Sequence, residues 1–229
     1  MGLRRDSWIL LGLTVAATAL ALFMQSRGKA SWLEVGAFIT GALCVWLTVK
    51  ESVWSFPISM INVAVFLFVF INARLYADAG LQVVYFVLSA IGWWMWLFGG
   101  ANRTELRISR VRAPEALLVA SLGLLFTVGM TLYLRRIPGT VPLADAGTTA
   151  LSLAAQWLLN RKRLETWWCW IVVDVLYIPL YAYKELYLTA ILYVVFLGMA
   201  TMGWLEWRAR FAMGPVGAVQ APPLPGARA

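Results

Sequence analysis

The sequence predicts an all-α membrane protein of eight transmembrane helices, and three observations predict it. Of 229 residues 62% are apolar and only 13% are charged, and the mean hydropathy is +0.76. A soluble domain is about half apolar and about a quarter charged, so a soluble globular enzyme is excluded. Continuous apolar stretches fall at about 8–24, 32–49, 54–73, 79–99, 115–134, 144–160, 166–183 and 186–206, near the length that spans a bilayer. The connections between them are short, leaving no polar stretch for a separate catalytic domain. In lipid the backbone must satisfy its own hydrogen bonds, so the spans are helices.

Residues 1–30 hold an extra N-terminal transmembrane helix. Arg4-Arg5 and the small-residue step Ala19-Leu20-Ala21 also fit a cleaved signal peptide. The apolar run continues through Leu22, Phe23 and Met24, which favours a retained helix. Residues 31–100 carry three spans, 101–142 a basic loop and a linker helix, and 143–210 three more spans. Residues 211–229, rich in Gly, Pro and Ala, have nothing to bury and are expected to be a disordered tail. Eight spans alternate the loops between two sides, and the 19 Lys and Arg divide thirteen to six. The larger share lies with the N-terminus, Lys50, Arg103–Arg112, Arg161–Arg163 and the C-terminus, which places both termini in the cytoplasm.

The net charge of +8 reports this loop asymmetry, not nucleic-acid binding. There is no histidine, which removes His-ligated haem, the usual zinc sites and Ser-His-Asp chemistry. Cys44 and Cys169 sit in apolar runs and read as packing residues. No metal, no cofactor and no catalytic constellation is expected.

Shifting the sequence by 111 residues aligns it with itself without gaps. Trp46-Leu47 meets Trp157-Leu158, Lys50 meets Arg161, and Leu75-Tyr76 meets Leu186-Tyr187. Val83-Val84 meets Val194-Val195, Gly92-Trp93 meets Gly203-Trp204, and Trp96 meets Trp207. Three spans, one linker and three spans give copies that enter the membrane in the same direction. That is a 3+1+3 parallel repeat, the SWEET-like arrangement, with a cavity expected on its axis near the midplane.

Two stretches carry a family resemblance: Leu75-Tyr76-Ala77-Asp78-Ala79-Gly80-Leu81-Gln82-Val83-Val84-Tyr85, and Thr166-Trp167-Trp168-Cys169-Trp170 through Asp174. With the Gly92-Trp93 and Leu186-Tyr187 motifs, the chain over about 32–208 resembles the PnuC family of bacterial vitamin transporters. The resemblance implies uptake of nicotinamide riboside through the cytoplasmic membrane by facilitated diffusion. It also implies a homotrimer, and trapping of the substrate by a cytoplasmic kinase that feeds NAD synthesis. Relatives carrying thiamine or riboflavin leave the vitamin open. Thr166 stands where many members have Asn.

Trp167, Trp170 and Asp174 are spaced i, i+3, i+7 and share a helix face, which Tyr177 and Tyr181 extend. A carboxylate inside a span is costly unless paired, hydrated or serving a ligand. Two indoles beside it suit a flat cationic ring. Gln82 and Tyr85 share a face that Ser89 continues; a buried Gln offers both donor and acceptor to a carboxamide or ribose. By the offset Gln82 corresponds to Tyr193, Tyr85 to Phe196, and Asn62 to Val173 next to Asp174. Gln82 and Asn62 have interhelical bonding as their alternative role, and the two Trp an interfacial belt. Pro57 and Pro179 are candidate loosening points. Glu34, Asn72 and Asp78 are expected at an interface.

Overall fold

The computed structural model describes residues 32–72, 76–136, 141–183 and 187–213, with scattered helical positions in 12–26. Most of the first span and the tail beyond 213 therefore lie outside the described residues, as do Arg74, Lys184 and the side chains of Glu34 and Asp78. The chain is all helical, with α1 (Trp32–Val49), α2 (Ser55–Asn72), α3 (Tyr76–Phe98), α4 (Ala113–Leu134), α5 (Pro142–Asn160), α6 (Thr166–Tyr183) and α7 (Tyr187–Met213). Among the described residues, four segments are long and apolar enough to cross a membrane: Ser55–Asn72 of α2, Ala79–Phe98 of α3, Ala113–Leu134 of α4 and Ala190–Met213 of α7. α5 falls short because Thr148, Ser152, Gln156 and Asn160 run along one face at i+4 spacing.

Helix contacts close a ring: α1 packs on α2, α2 on α3, α3 on α5, α5 on α6, α6 on α7, and α7 back on α1. α4 lies outside it, packed along α5. Leu117, Leu118, Leu122, Leu124 and Leu125 of α4 are all exposed, the surface a lipid-facing helix presents. Pro57 stands in the first turn of α2, where its missing N–H costs nothing, so it does not loosen that helix. Pro179 does stand inside α6.

Positions 111 residues apart repeat their geometry in detail. α1 ends with the N–H of Glu51 on the Thr48 carbonyl (3.0 Å) and that of Ser52 on Leu47 (2.9 Å). α5 ends with Lys162 on Leu159 (2.9 Å) and Arg163 on Leu158 (2.9 Å). Both are Schellman caps, and both put a non-glycine residue in the left-handed region, Glu51 at φ 58° and Lys162 at φ 46°. Phe56 meets Trp96 edge-on (centroids 5.0 Å, 85°), as Trp167 meets Trp207 (5.3 Å, 87°). Each contact needs a glycine. A Cβ on Gly92 would stand 2.5 Å from the Phe56 ring, and one on Gly203 would overlap the Trp167 indole. Trp96 donates its indole N–H to the Leu159 carbonyl (3.0 Å), and Trp207 donates to Val49 (3.2 Å). Trp96 and Trp207 also touch each other (5.9 Å). Val49, Phe56, Leu159, Leu164 and Ala200 complete this buried core at one end of the bundle.

The basic loop closes over the same end. Ser109 bridges the α5–α6 turn through hydrogen bonds to Lys162 (3.0 Å) and Leu164 (2.9 Å). Glu165 accepts the Val111 N–H (2.9 Å), while Glu115 of α4 pairs with Arg161 (3.3 Å) and Arg163 (2.6 Å).

Candidate functional site

α6 passes from the aromatic core into a polar interior, and its residues divide accordingly. Trp167, at the start of the helix, is 2% exposed, enclosed by Gly203 and Trp207. Its Nε1–H has no acceptor. The structure thus places Trp167 in the core packing and leaves neither ring face open for a ligand. The expected pair of stacking indoles is reduced to one, for a physical reason: the i, i+3 spacing fixes a helix face but not which neighbour covers each turn. Trp170 packs on that core while staying half-exposed.

One turn further along α6 stands Asp174, 3% exposed. No hydrogen bond or ion pair holds its carboxylate among the described residues. Its oxygens are not among the fully enclosed unpartnered atoms, so the carboxylate borders interior space, where a charge is costly unless hydrated or paired. Tyr193 of α7 is within electrostatic range of Asp174. Tyr193 also contacts Tyr177 (centroids 4.9 Å), stacks on Tyr181 (5.2 Å, 14°) and meets Phe196 edge-on (5.7 Å). From the other half of the ring, Tyr85 of α3 lies within electrostatic range of Tyr177 and near Ser152 of α5. Four helices therefore bring Asp174, Tyr177, Tyr193, Tyr85 and Ser152 together. Such an arrangement offers aromatic faces, hydroxyl donors and one negative charge, and no nucleophile–base pair.

Gln82 is half-buried one turn before Tyr85, with no described partner. Asn62 is tied elsewhere: its amide donates to Thr40 Oγ1 (2.6 Å), joining α2 to α1. Ser59 and Ser89 bond each other (3.3 Å) between α2 and α3. The sequence reading passed over Ser152, and over Asn160, which is fully buried and donates to the Leu88 carbonyl (2.7 Å). The i+4 polar stripe Thr148, Ser152, Gln156, Asn160 was the signal for both. Among the described residues, no three His, Cys, Asp or Glu side chains gather as a metal donor set. Two grooves of about 530 and 610 Å³ flank α4, apolar and outside the ring.

A ring of apolar helices around a small polar and aromatic interior, with the described charged residues other than Asp174 gathered toward the ends, fits a membrane transporter. Residues 31–209 match the profile of the family described as nicotinamide mononucleotide transporter, and the chain belongs to that family. It is similar to the nicotinamide riboside transporter PnuC of Escherichia coli K12, 28% identical over 203 residues, 77% of this chain and 85% of that one. It is also similar to the riboflavin/roseoflavin transporter RibM of Streptomyces davaonensis, 24% identical over 186 residues, 78% of this chain and 85% of that one. A crystal structure of the vitamin B3 transporter PnuC has the same fold, with TM-score 0.71, 24% identity, and coverage of 92% of this chain and 93% of that chain.

Proposed function

We propose that the chain takes up nicotinamide riboside across a bacterial cytoplasmic membrane by facilitated diffusion, through alternating access. The observation that carries the substrate class is Asp174, buried and without a described partner among Tyr177, Tyr193 and Tyr85. A pyridinium ring is flat and cationic, so it satisfies the aromatic faces and the carboxylate at once. The name of the E. coli relative supports the same substrate. A mononucleotide adds a phosphate, and no Lys or Arg occurs in 164–183 or 185–207 to receive it. The site is Asp174, Trp170, Tyr177, Tyr193, Tyr85 and Gln82, with Asn62 positioning the α1–α2 side and Trp167 supporting Trp170 from the core.

The architecture proposed is SWEET-like: an N-terminal helix in 1–30, three-helix units in 31–100 and 143–210, and a loop and linker helix in 101–142. The closed ring and the matched caps and aromatic pairs 111 residues apart support it. Both termini are cytoplasmic, on the thirteen-to-six charge asymmetry, and the tail expected from 211 starts beyond Met213, because α7 runs to that residue. Assembly as a homotrimer and trapping by a cytoplasmic kinase complete the reading. The second reading is a carrier of another flat vitamin, thiamine or riboflavin, which the riboflavin/roseoflavin relative favours.

The test is calorimetric binding of nicotinamide riboside, nicotinamide mononucleotide, thiamine and riboflavin to detergent-purified protein. Binding of nicotinamide riboside at least about tenfold tighter than the others is expected. Preference for any other member of the panel overturns the substrate assignment.

A further inference from the structure

Two charged residues stand where helix caps favour glycine. The left-handed C′ position of a Schellman cap is usually Gly, because a Cβ there costs about 1–2 kcal/mol. Both caps here hold long charged side chains instead, Glu51 and Lys162. These two residues are 111 apart, equivalent positions of the two halves, and they bond each other: Lys162 Nζ to Glu51 Oε2, 3.1 Å. Equivalent positions that touch lie on the axis relating the halves, as Trp96 and Trp207 also do. The Lys162 ammonium is buried and sits 4.5 Å from the Trp96 ring centroid.

The pair continues into a chain of alternating charges. Glu51 Oε1 meets Arg210 (2.6 Å), Arg210 meets Glu206 (3.4 Å), and Glu206 meets Lys50 (2.6 Å). The chain therefore links the α5–α6 turn, the α1–α2 turn and α7. It is one-sided: the residues 111 positions before Glu206 and Arg210 are Met95 and Gly99. Both seams carry a Trp-to-carbonyl hydrogen bond, Trp207 to Val49 and Trp96 to Leu159, and the α1·α7 seam adds the charges where its counterpart, α3·α5, adds the Asn160 bond to the Leu88 carbonyl.

We propose that this charge chain is the cytoplasmic gate of the carrier, closed in this structure, and that it opens along the α1·α7 seam. This rests on the carrier reading and on its orientation. A buried ion pair adds little stability over apolar packing, so as mere glue the chain would be a poor choice. As a gate it suits the task, because water entering the parted seam solvates the freed charges, whereas a parted apolar seam exposes its surface. Lys162 and Glu51 hold the two halves together on the axis. Arg210 joins α7 to the α1–α2 turn.

The test reads gate opening without using transport. Ser89, 1% exposed, lies seven residues from Trp96, about 10 Å deeper along α3. Ser89→Cys is made in a Cys44→Ala, Cys169→Ala background and labelled with a membrane-impermeant thiol reagent from the cytoplasmic face of everted vesicles. Slow labelling is expected for the parent and for Lys162→Arg. Lys162→Met and Glu51→Gln are expected to label at least about tenfold faster, a shift of about 1.4 kcal/mol in the open–closed balance. Arg210→Gln, which removes one outer link of the chain, is expected to give a smaller rise and carries the test if the buried variants fail to fold. Labelling of folded variants at the parental rate overturns the gate. Acceleration seen only from the opposite face overturns its cytoplasmic placement. Calorimetry on the parent reads substrate binding separately, so a failed carrier reading shows as absent binding in the parent with the labelling pattern intact.

Discussion

Replacing Asp174 with Asn keeps the shape of the side chain and removes its charge. The two consequences pull in opposite directions, which makes the variant informative. In the bound state, a ring cation about 4 Å from the carboxylate gains about 4 kcal/mol at an effective dielectric of about 20. After desolvation, charge-assisted contacts retain about 1.5–3 kcal/mol. Taking about 2 kcal/mol, affinity for nicotinamide riboside is expected to fall about 30-fold. In the empty state Asp174 is 3% exposed and has no described partner. Removing that charge relieves a penalty of several kcal/mol, so the ligand-free variant is expected to melt at a higher temperature than the parent. The assays are calorimetry and thermal unfolding in the same detergent. A control ligand sharpens the reading: dihydronicotinamide riboside lacks the ring charge, and its affinity is expected to be nearly indifferent to the substitution. Unchanged binding of the cationic riboside together with a lower melting temperature would refute the reasoning, since Asp174 would then be a structural residue.

Gly203→Ala drives a methyl into the Trp167 indole; a cost toward the upper end of the 1–3 kcal/mol range for overpacking is expected, read as a melting temperature lower by several degrees. Trp167→Phe reproduces the first half, where Phe56 holds the equivalent place, and removes a buried N–H with no acceptor. Riboside binding is expected to stay within about threefold, the change of a residue outside the site, and a loss above about tenfold would return Trp167 to it. Tyr193→Phe keeps the ring contacts to Tyr177 and Tyr181 and is expected to lose less affinity than Tyr193→Ala, which opens the aromatic cluster. Calorimetry ranks the two. Asn160→Ala removes the buried bond from α5 to the Leu88 carbonyl of α3 and the acceptor of the Gln156 amide, a loss of about 1–3 kcal/mol read by thermal unfolding.

Much of the helical order was legible because lipid imposes simple rules on composition and span length. The glycine–tryptophan endings at Gly92 and Gly203 marked the repeat, and the structure gives the reason: each glycine makes room for an aromatic ring so that a Trp can reach the axis. Glu51 and Lys162 also stand 111 residues apart, but the repeat was marked there by Lys50 and Arg161, and only the structure shows that Glu51 and Lys162 meet. The proposed site draws on Asp174, which stands out in the sequence as a charge in an apolar run. The sequence was misleading at Trp167, because α6 is apolar all round and its periodicity does not say which turn faces the core and which the interior. The sequence reading includes α5 as a span at 144–160 but misses its polar stripe. Its polar stripe lowers the hydropathy by which spans are recognised, while that stripe is what faces the ring.

Flux of labelled nicotinamide riboside into proteoliposomes containing the purified protein tests the central claim most directly. The account predicts saturable entry of unmodified riboside that equilibrates without an imposed sodium or pH gradient and is reduced by Asp174→Asn at low concentration. Entry no faster than into protein-free liposomes, or entry only when an ion gradient drives it, would contradict it.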